Sequence, residues 1–191
     1  MIGHVQIRTT TETDMSTIQP LIPAEADPAI ARTLDAVRGK LGMLPNLIAT
    51  LAHAPAALNA YLGLSEMLAG GRLTARQREI VALAVAQTNA CEYCLSAHTQ
   101  LARHAGLDDE QIRDAREARG GTTLDAAIAG YAAQLARQRG RLSPGEVQSL
   151  RRQGLDDALL IEVIAHVVLN QLTNFTNHVA GTEVDFPAVG V

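Results

Sequence analysis

The fold is decided by residues 74–106, which run TARQREIVALAVAQTNACEYCLSAHTQLARHAG. Within this stretch, Ile80–Ala86 is a run of seven apolar residues, and a helix that is apolar on all sides is normally buried. Thr74 and Gln77 have the spacing of a capping box just before the run. This pattern predicts a buried helix over about residues 75–88.

A second helix follows within the same stretch. Asn89 and Glu92 repeat the capping-box spacing, and Gly106 is a residue type common just after a helix end. Two helices joined by so short a connection run antiparallel. We therefore predict a tight helical hairpin over about residues 75–104, with Asn89 as the N-cap of its second helix.

Helix start and stop signals continue outside the hairpin, whereas alternating strand patterns are confined to a weak one at His4–Arg8. They predict further helices at about residues 28–40, 46–52, 55–69, from 108, 123–139, 144–153 and 156–180. We therefore predict an all-α protein, with an irregular N-terminal arm at residues 1–26 and a single helical domain at residues 27–191.

A short motif occurs twice in the chain. Gly106-Leu107-Asp108-Asp109 recurs as Gly154-Leu155-Asp156-Asp157. Two origins are open from the sequence. The motif either marks a duplicated helix-pair unit or repeats only because helices end and begin in similar ways.

The composition excludes several classes of protein. Of the 191 residues, 47% are apolar and 19% are charged, with a net charge of −4, and the 16 basic residues are scattered. This balance argues for a globular domain and against nucleic acid as a partner. The seven-residue apolar run is far shorter than the roughly 20 residues of a membrane span, and no signal-peptide pattern begins the chain. We expect a cytoplasmic protein without a membrane segment.

Aromatic residues are rare, with no Trp, two Phe and three Tyr. The core must therefore be built from Ala, Leu, Val and Ile, whose side chains suit closely packed helices. Several such helices leave apolar stripes that one bundle of this size does not cover. We therefore expect a homo-oligomer.

The chain has two cysteines, Cys91 and Cys94, separated by two residues. In a reducing compartment a pair at this spacing is more often redox-active or metal-binding than a structural crosslink. With Asn89 as N-cap, both lie on one helical face with Cα atoms roughly 5 to 5.5 Å apart, which a disulfide tolerates. The pair can therefore cycle between dithiol and disulfide.

Two further residues complete this constellation. His98 follows Cys94 by four residues, so imidazole and thiol can meet on the helix surface. Glu79 lies as far before the hairpin turn as His98 lies after it, so the two should face each other. A carboxylate there would orient the imidazole and support a thiolate. Alternatively, Glu79 is a solvated residue that pairs with Arg76.

Two other classes of function remain open. Cys91, Cys94, His98 and Glu79 are acceptable zinc ligands, and the cysteines could instead be incidental in a non-catalytic helical interaction protein.

A polar stripe runs along the last predicted helix at four-residue spacing. The stripe consists of His166, Asn170, Asn174 and His178. Two interpretations are open: these residues are structural polar groups, or they are part of a substrate pocket.

The spacing Glu79-x11-Cys91-x2-Cys94-x3-His98 resembles the active-site pattern of the AhpD-like alkylhydroperoxidases, within the carboxymuconolactone decarboxylase superfamily. Two other segments resemble the peroxidase-related branch, and they are Leu44-Pro45-Asn46 and the tail from Asn174 through Pro187. The resemblance covers about residues 40–187.

The resemblance implies an all-helical fold, homo-oligomers such as trimers or hexamers, and antioxidant chemistry without metal or organic cofactor. A disulfide-cycling pair would reduce a hydroperoxide or pass electrons to a peroxiredoxin, and a dihydrolipoamide- or thioredoxin-type thiol would restore it. The helix N-terminus favours a thiolate at Cys91, whereas His98 favours one at Cys94. The resemblance points to Cys94 as the attacking and Cys91 as the resolving residue.

One position departs from the family pattern. Tyr93 stands where the best-studied branch has a histidine, so a proton relay through that histidine cannot operate here. Decarboxylases of the superfamily lack the cysteine pair, which makes decarboxylation the weaker alternative.

Overall fold

The computed structural model describes residues 16–119 and 123–191. In these residues the chain forms helices and no strand, which confirms the predicted all-α fold. The weak strand pattern at His4–Arg8 and most of the predicted arm lie outside the described residues. The α-helices are α1 (Pro28–Leu41), α2 (Asn46–Leu51), α3 (Pro55–Ala69), α4 (Ala75–Thr88), α5 (Glu92–His104), α6 (Asp109–Arg116), α7 (Thr123–Gln138), α8 (Pro144–Arg152) and α9 (Asp157–Ala180).

Several helices begin with a side chain that caps the first turn. The side chains that cap a helix by accepting a backbone N–H are Asp27, Thr74, Cys91, Asp108, Ser143 and Asp156. Each of these bonds satisfies a donor that the first turn of a helix leaves without a partner.

The predicted N-cap at Asn89 is wrong. Asn89 ends α4, and α5 begins at Glu92 with Cys91 as its N-cap. The reason lies at Ala90, which takes a left-handed conformation with φ 53°. The Cys91 N–H then donates to the Ala86 carbonyl at 2.9 Å, which is the closing bond of a Schellman motif. These residues therefore finish the first helix, and the second helix starts two residues later than predicted.

The core is built around α4. All residues of Ile80–Ala86 are buried, as the apolar run predicted. Helix α4 packs against α5, α6, α7 and α9, so it touches neighbours on most sides. Small residues along it allow these close approaches. The hairpin formed by α4 and α5 is thereby held against α9 from the far end of the chain.

The repeated motif belongs to a larger structural repeat. Helices α4 to α6 and α7 to α9 follow each other in the same order, with Asp109 and Asp157, the first residues of α6 and α9, 48 residues apart. Gly106 and Gly154 both have positive φ, at 84° and 100°. Each unit also has an equivalent ion pair across this turn. Arg103 pairs with Asp109 in the first unit, and Arg151 pairs with Asp157 in the second. The structure thus supports duplication of a three-helix unit, larger than the helix pair that the sequence indicated.

Helix α9 has two contrasting faces. Among the described residues it is long and apolar enough to cross a membrane by length and composition alone, with a mean hydropathy of 1.4, but core helices of soluble proteins meet the same test. Its Glu162 carboxylate accepts the N–H groups of Arg72 and Leu73, so one face is bound to the rest of the protein. The opposite face is an exposed apolar stripe made of Ile161, Ile164, Val168, Leu172, Phe175 and Val179.

Candidate active site

The two cysteines lie at the first turn of α5, and both are free thiols and buried. Cys91 Sγ accepts the backbone N–H of Cys94 at 3.4 Å. The sulfur therefore occupies the place that a Ser or Asp oxygen takes in an ordinary N-cap. This position exposes Cys91 to the positive end of the helix, which stabilises a thiolate.

Cys94 is held by the last helix. Its Sγ accepts hydrogen bonds from the side-chain amides of Asn174, at 3.0 Å, and Asn177, at 3.3 Å. Asn174 also accepts an N–H from Asn89 at 2.9 Å, which links the hairpin turn to α9. The sequence placed Asn174 in a polar stripe without connecting it to the cysteines. The signal available there was its spacing of three residues from Asn177, which puts both amides on one face.

The two thiols differ in acidity. A hydrogen bond with Cys94 lowers the pKa of the Cys91 thiol against the opposing effect of burial, and the Cys94 N–H, Asn177 and the charge of His98 lower it further. The same hydrogen bond raises the pKa of the Cys94 thiol, and burial and the Cys91 charge add to the increase. These opposite shifts favour a thiolate at Cys91, the alternative that the helix N-terminus indicated.

Glu79 and His98 are in contact, as the hairpin predicted. His98 Nδ1 lies 2.8 Å from Glu79 Oε2, with the side chains 22% and 18% exposed. The competing partner, Arg76, instead donates to the Gly106 carbonyl. Because Nδ1 is bound to the carboxylate, Nε2 is the ring nitrogen that can exchange a proton.

Two adjoining cavities meet beside these groups. One, of about 350 Å³, has Cys94 and His98 in a wall that is otherwise mainly apolar, and the other, of about 480 Å³, contains Glu79, His98 and His166. Tyr61 lines both. Burial, followed by the charges of Cys94 and Glu79, raises the pKa of Tyr61 to about 12. The phenol thus stays protonated at neutral pH.

Tyr93 has a structural position. Its hydroxyl accepts the Leu47 N–H at 3.2 Å, and its ring packs edge-on against Phe186 with centroids 5.7 Å apart. Burial and the neighbouring Asp185 carboxylate raise the pKa of the hydroxyl. Tyr93 therefore joins α5 to the start of α2 and to the C-terminal segment, and it supplies no replacement for the histidine of the family pattern.

The predicted polar stripe on α9 divides between two environments. His166 is 3% exposed, lines the larger cavity and has no partner for Nε2 among the described residues. Burial lowers its pKa, so the ring is neutral. Asn170 donates to the His166 carbonyl at 2.8 Å. His178 is exposed near the other end of the helix, so the stripe does not form one continuous site.

The zinc alternative requires four ligands in one place. In the described residues, no group of three or more His, Cys, Asp or Glu side chains is arranged to hold a metal ion. Glu79 is bound to His98, and Cys94 is bound to amide donors of α9. The geometry places two thiols beside a carboxylate–imidazole hydrogen bond.

Part of the chain is similar to a known protein family. Residues 55–138 match the carboxymuconolactone decarboxylase family. An alkyl hydroperoxide reductase of Mycobacterium tuberculosis is 34% identical over 93 residues, which are 48% of this chain and 27% of that protein. The match thus spans about a quarter of that relative's length.

Two solved structures share the fold over most of the chain. A peroxidase-related protein with an alkylhydroperoxidase AhpD core, from Ralstonia eutropha JMP134, superposes with a TM-score of 0.80 at 22% identity and covers 90% of this chain and 93% of its own. The debrominase Bmp8, solved with 2,3,4-tribromopyrrole, gives a TM-score of 0.74 at 19% identity over 88% of this chain and 91% of its own. These likenesses establish the AhpD-like fold.

Proposed function

We propose that this chain, which carries a carboxymuconolactone decarboxylase family domain with an AhpD-like fold, is a thiol-dependent reductase of organic hydroperoxides. One observation carries the proposal. Cys94 and His98, which is hydrogen-bonded to Glu79, line the same cavity, and the Cys91 thiol is hydrogen-bonded to Cys94. The relatives whose names include alkyl hydroperoxide reductase and peroxidase-related protein support the same class of reaction.

The first step is attack on the peroxide. Cys94 is the sulfur that lines the cavity, and its proton moves to the Cys91 thiolate through the hydrogen bond between the sulfurs. Cys94 Sγ then bonds to the terminal peroxide oxygen while the O–O bond breaks. Protonated His98 donates a proton to the departing alkoxide, which leaves as an alcohol. Cys94 becomes a sulfenic acid.

The second step forms the disulfide. His98, now neutral, accepts the proton of Cys91, and the Cys91 thiolate attacks the sulfenic sulfur. The departing hydroxide takes that proton from His98 and leaves as water. The dithiol has then supplied the two electrons that reduce the peroxide. Glu79 keeps the imidazole oriented throughout both proton transfers.

The cavity favours an organic substrate. Leu47, Ala97 and Phe186 contribute to its apolar wall beside Cys94, and burying an alkyl or aryl group there is favourable by about 25 cal/mol per Å². The Tyr61 hydroxyl can donate to a peroxide oxygen at the junction of the two cavities. Hydrogen peroxide gains nothing from the apolar wall.

We place the protein in a reducing compartment. A reducing compartment such as the cytoplasm keeps Cys91 and Cys94 free. An external dithiol or a peroxiredoxin would exchange electrons with the pair, and no organic cofactor takes part in the scheme. The exposed α9 stripe is the surface on which we expect copies of the chain to associate.

The test is peroxide consumption with dithiothreitol as donor. Wild type should consume cumene hydroperoxide with a higher kcat/KM than hydrogen peroxide. Cys94→Ser should lose the activity, and Cys91→Ser should perform one turnover and retain a sulfenic acid at Cys94 that dimedone labels. Dimedone labelling of Cys91 in Cys94→Ser at the wild-type rate would reverse the two roles.

A parallel assay addresses the other reactions of similar proteins. The debrominase Bmp8 has the same fold, so 2,3,4-tribromopyrrole is included and bromide release is measured. The decarboxylase alternative is tested with a γ-carboxymuconolactone. Turnover of either compound without consumption of hydroperoxide would contradict the proposed function.

A further inference from the structure

We propose that the electron donor reaches the disulfide from the opposite side to the peroxide, in a pocket that contains Cys91, and that this pocket accepts a cysteinyl dithiol of a peptide or protein. The inference rests on the proposed disulfide cycle and names the partner of its reductive half. It starts from the way the two sulfurs divide between separate cavities.

The cavity beside His98 contains Cys94 and not Cys91. A pocket of about 430 Å³ on the other side of the α5 N-terminus contains Cys91 and not Cys94. Of the lining residues, Tyr93 is common to both, and its buried ring stands between them. A molecule in the second pocket therefore approaches the Cys91 sulfur without entering the peroxide cavity.

The pocket also contains polar atoms that are ready for a ligand. Asn177 Oδ1 and Thr182 Oγ1 are buried and have no hydrogen-bond partner among the described residues. Both residues line the pocket beside Cys91 and are at least nine-tenths buried. An unpartnered buried polar atom is unfavourable by about 1–3 kcal/mol. A ligand with an N–H group close to its thiol would satisfy these acceptors.

The rim restricts the charge of that ligand. Glu92 and Glu183 are exposed members of the pocket lining and place two carboxylates around its opening. They repel an anionic thiol such as glutathione and accommodate a neutral or basic donor. In a peptide, each cysteine has its own backbone N–H only a few bonds from the sulfur, whereas the amide of a lipoyl group lies far from its thiols. A cysteinyl dithiol therefore fits both features.

Access decides which sulfur the donor attacks, because the pocket contains Cys91 and not Cys94. A donor thiolate bonds to Cys91 Sγ, the disulfide breaks, and Cys94 leaves as a thiolate that Asn174 and Asn177 stabilise and that then takes up a proton. The second donor thiolate attacks the donor sulfur of this mixed disulfide. Cys91 leaves as a thiolate, and the donor becomes the disulfide. The donor thus loses the two electrons that the pair gains.

The experiment separates the two half-reactions by closing one pocket at a time. His178 lies on the rim of the Cys91 pocket and Gln100 on the lining of the peroxide cavity, so each is replaced by Trp. Arg152→Trp, at an exposed site on α8, is the bulky control. The disulfide is formed with diamide, which keeps the reductive measurement independent of peroxide reactivity. Reduction is followed with dithiothreitol, glutathione and a blocked Cys-Gly-Pro-Cys peptide, and oxidation with cumene hydroperoxide.

We expect His178→Trp to slow reduction by the peptide by about tenfold or more, because exchange depends on access to the attacked sulfur, while the rate of oxidation is unchanged. Gln100→Trp should slow oxidation and leave reduction unchanged. Arg152→Trp should alter neither rate. Slowing of both half-reactions by His178→Trp, or of reduction by Gln100→Trp alone, would overturn the two-sided arrangement.

A second variant tests the ligand class without adding bulk. Thr182→Val removes the unpartnered hydroxyl and keeps the side-chain shape. It should slow the peptide by about fivefold, the equivalent of one neutral hydrogen bond, and leave dithiothreitol unaffected. Equal slowing of both donors, or faster reduction of wild type by glutathione than by the peptide, would contradict a cysteinyl partner. Failure of peroxide to oxidise wild type, with reduction of the diamide disulfide intact, would refute the peroxidase function and not the pocket.

Discussion

Replacing Asn174 by Leu should make the Cys94 thiolate harder to form. The Asn174 side chain is fully buried, and its Nδ2 group lies 3.0 Å from Cys94 Sγ. A hydrogen bond to a charged group contributes about 1.5–3 kcal/mol, and burial leaves little solvent to screen it. Loss of the donor should therefore raise the pKa of Cys94.

The assay uses a Cys91→Ser background, so that Cys94 titrates without its coupled neighbour. The rate of alkylation by iodoacetamide is measured against pH. Because the donor stabilises the charged form, its removal moves the alkylation midpoint to higher pH. The rate below the midpoint should fall by about 10- to 100-fold, and the two curves should converge at alkaline pH.

Asn170→Leu is the matched control on the same helix. Asn170 is also buried and donates to the His166 carbonyl at 2.8 Å, but it has no hydrogen bond to sulfur. It should lower the free energy of unfolding by a similar amount and leave the alkylation midpoint in place. Superimposable profiles for Asn174→Leu and its parent, or an equal shift in the control, would refute the reasoning.

Four further outcomes are expected. Glu79→Gln should lower kcat by about tenfold or more with little change in KM, because the amide keeps the shape but not the charge that supports proton transfer; unchanged steady-state kinetics would show that the Glu79 charge takes no part in proton transfer. Mild peroxide should convert Cys91 and Cys94 to an intramolecular disulfide, seen in mass spectra as the loss of two hydrogens and reversed by dithiothreitol; sulfinic acid or linked dimers would contradict it. Phe175→Glu, within the exposed α9 stripe, should reduce the mass measured by light scattering from an oligomer to a monomer, and a monomeric wild type at micromolar concentration would exclude self-association. Ala90→Gly should raise the free energy of unfolding in urea by about 0.5–1 kcal/mol, since glycine tolerates a φ of 53°; a lower stability would show that Ala90 packing outweighs its backbone strain.

Local signals in the sequence were sufficient for the hairpin. The capping box at Thr74 and Gln77, and the apolar run behind it, act within a few residues of where they stand. Antiparallel packing then places Glu79 opposite His98 by simple distance from the turn. The same local logic chose the wrong cap at Asn89, because two end motifs competed for one short connection. The left-handed Ala90 resolved that competition in favour of the end of α4.

The sequence by itself determined the helices, the spacing of the two cysteines and the contact between Glu79 and His98, since each depends on spacing along one helix or across one turn. Only the tertiary structure decided the surroundings of the two sulfurs. The amides of Asn174 and Asn177 reach Cys94 across about 80 residues of chain, and their positions depend on how α9 is rotated against the hairpin. That rotation is the sum of many weak packing contacts over both helices, so no short motif encodes it. The same packing places Cys94 in one cavity and Cys91 in another.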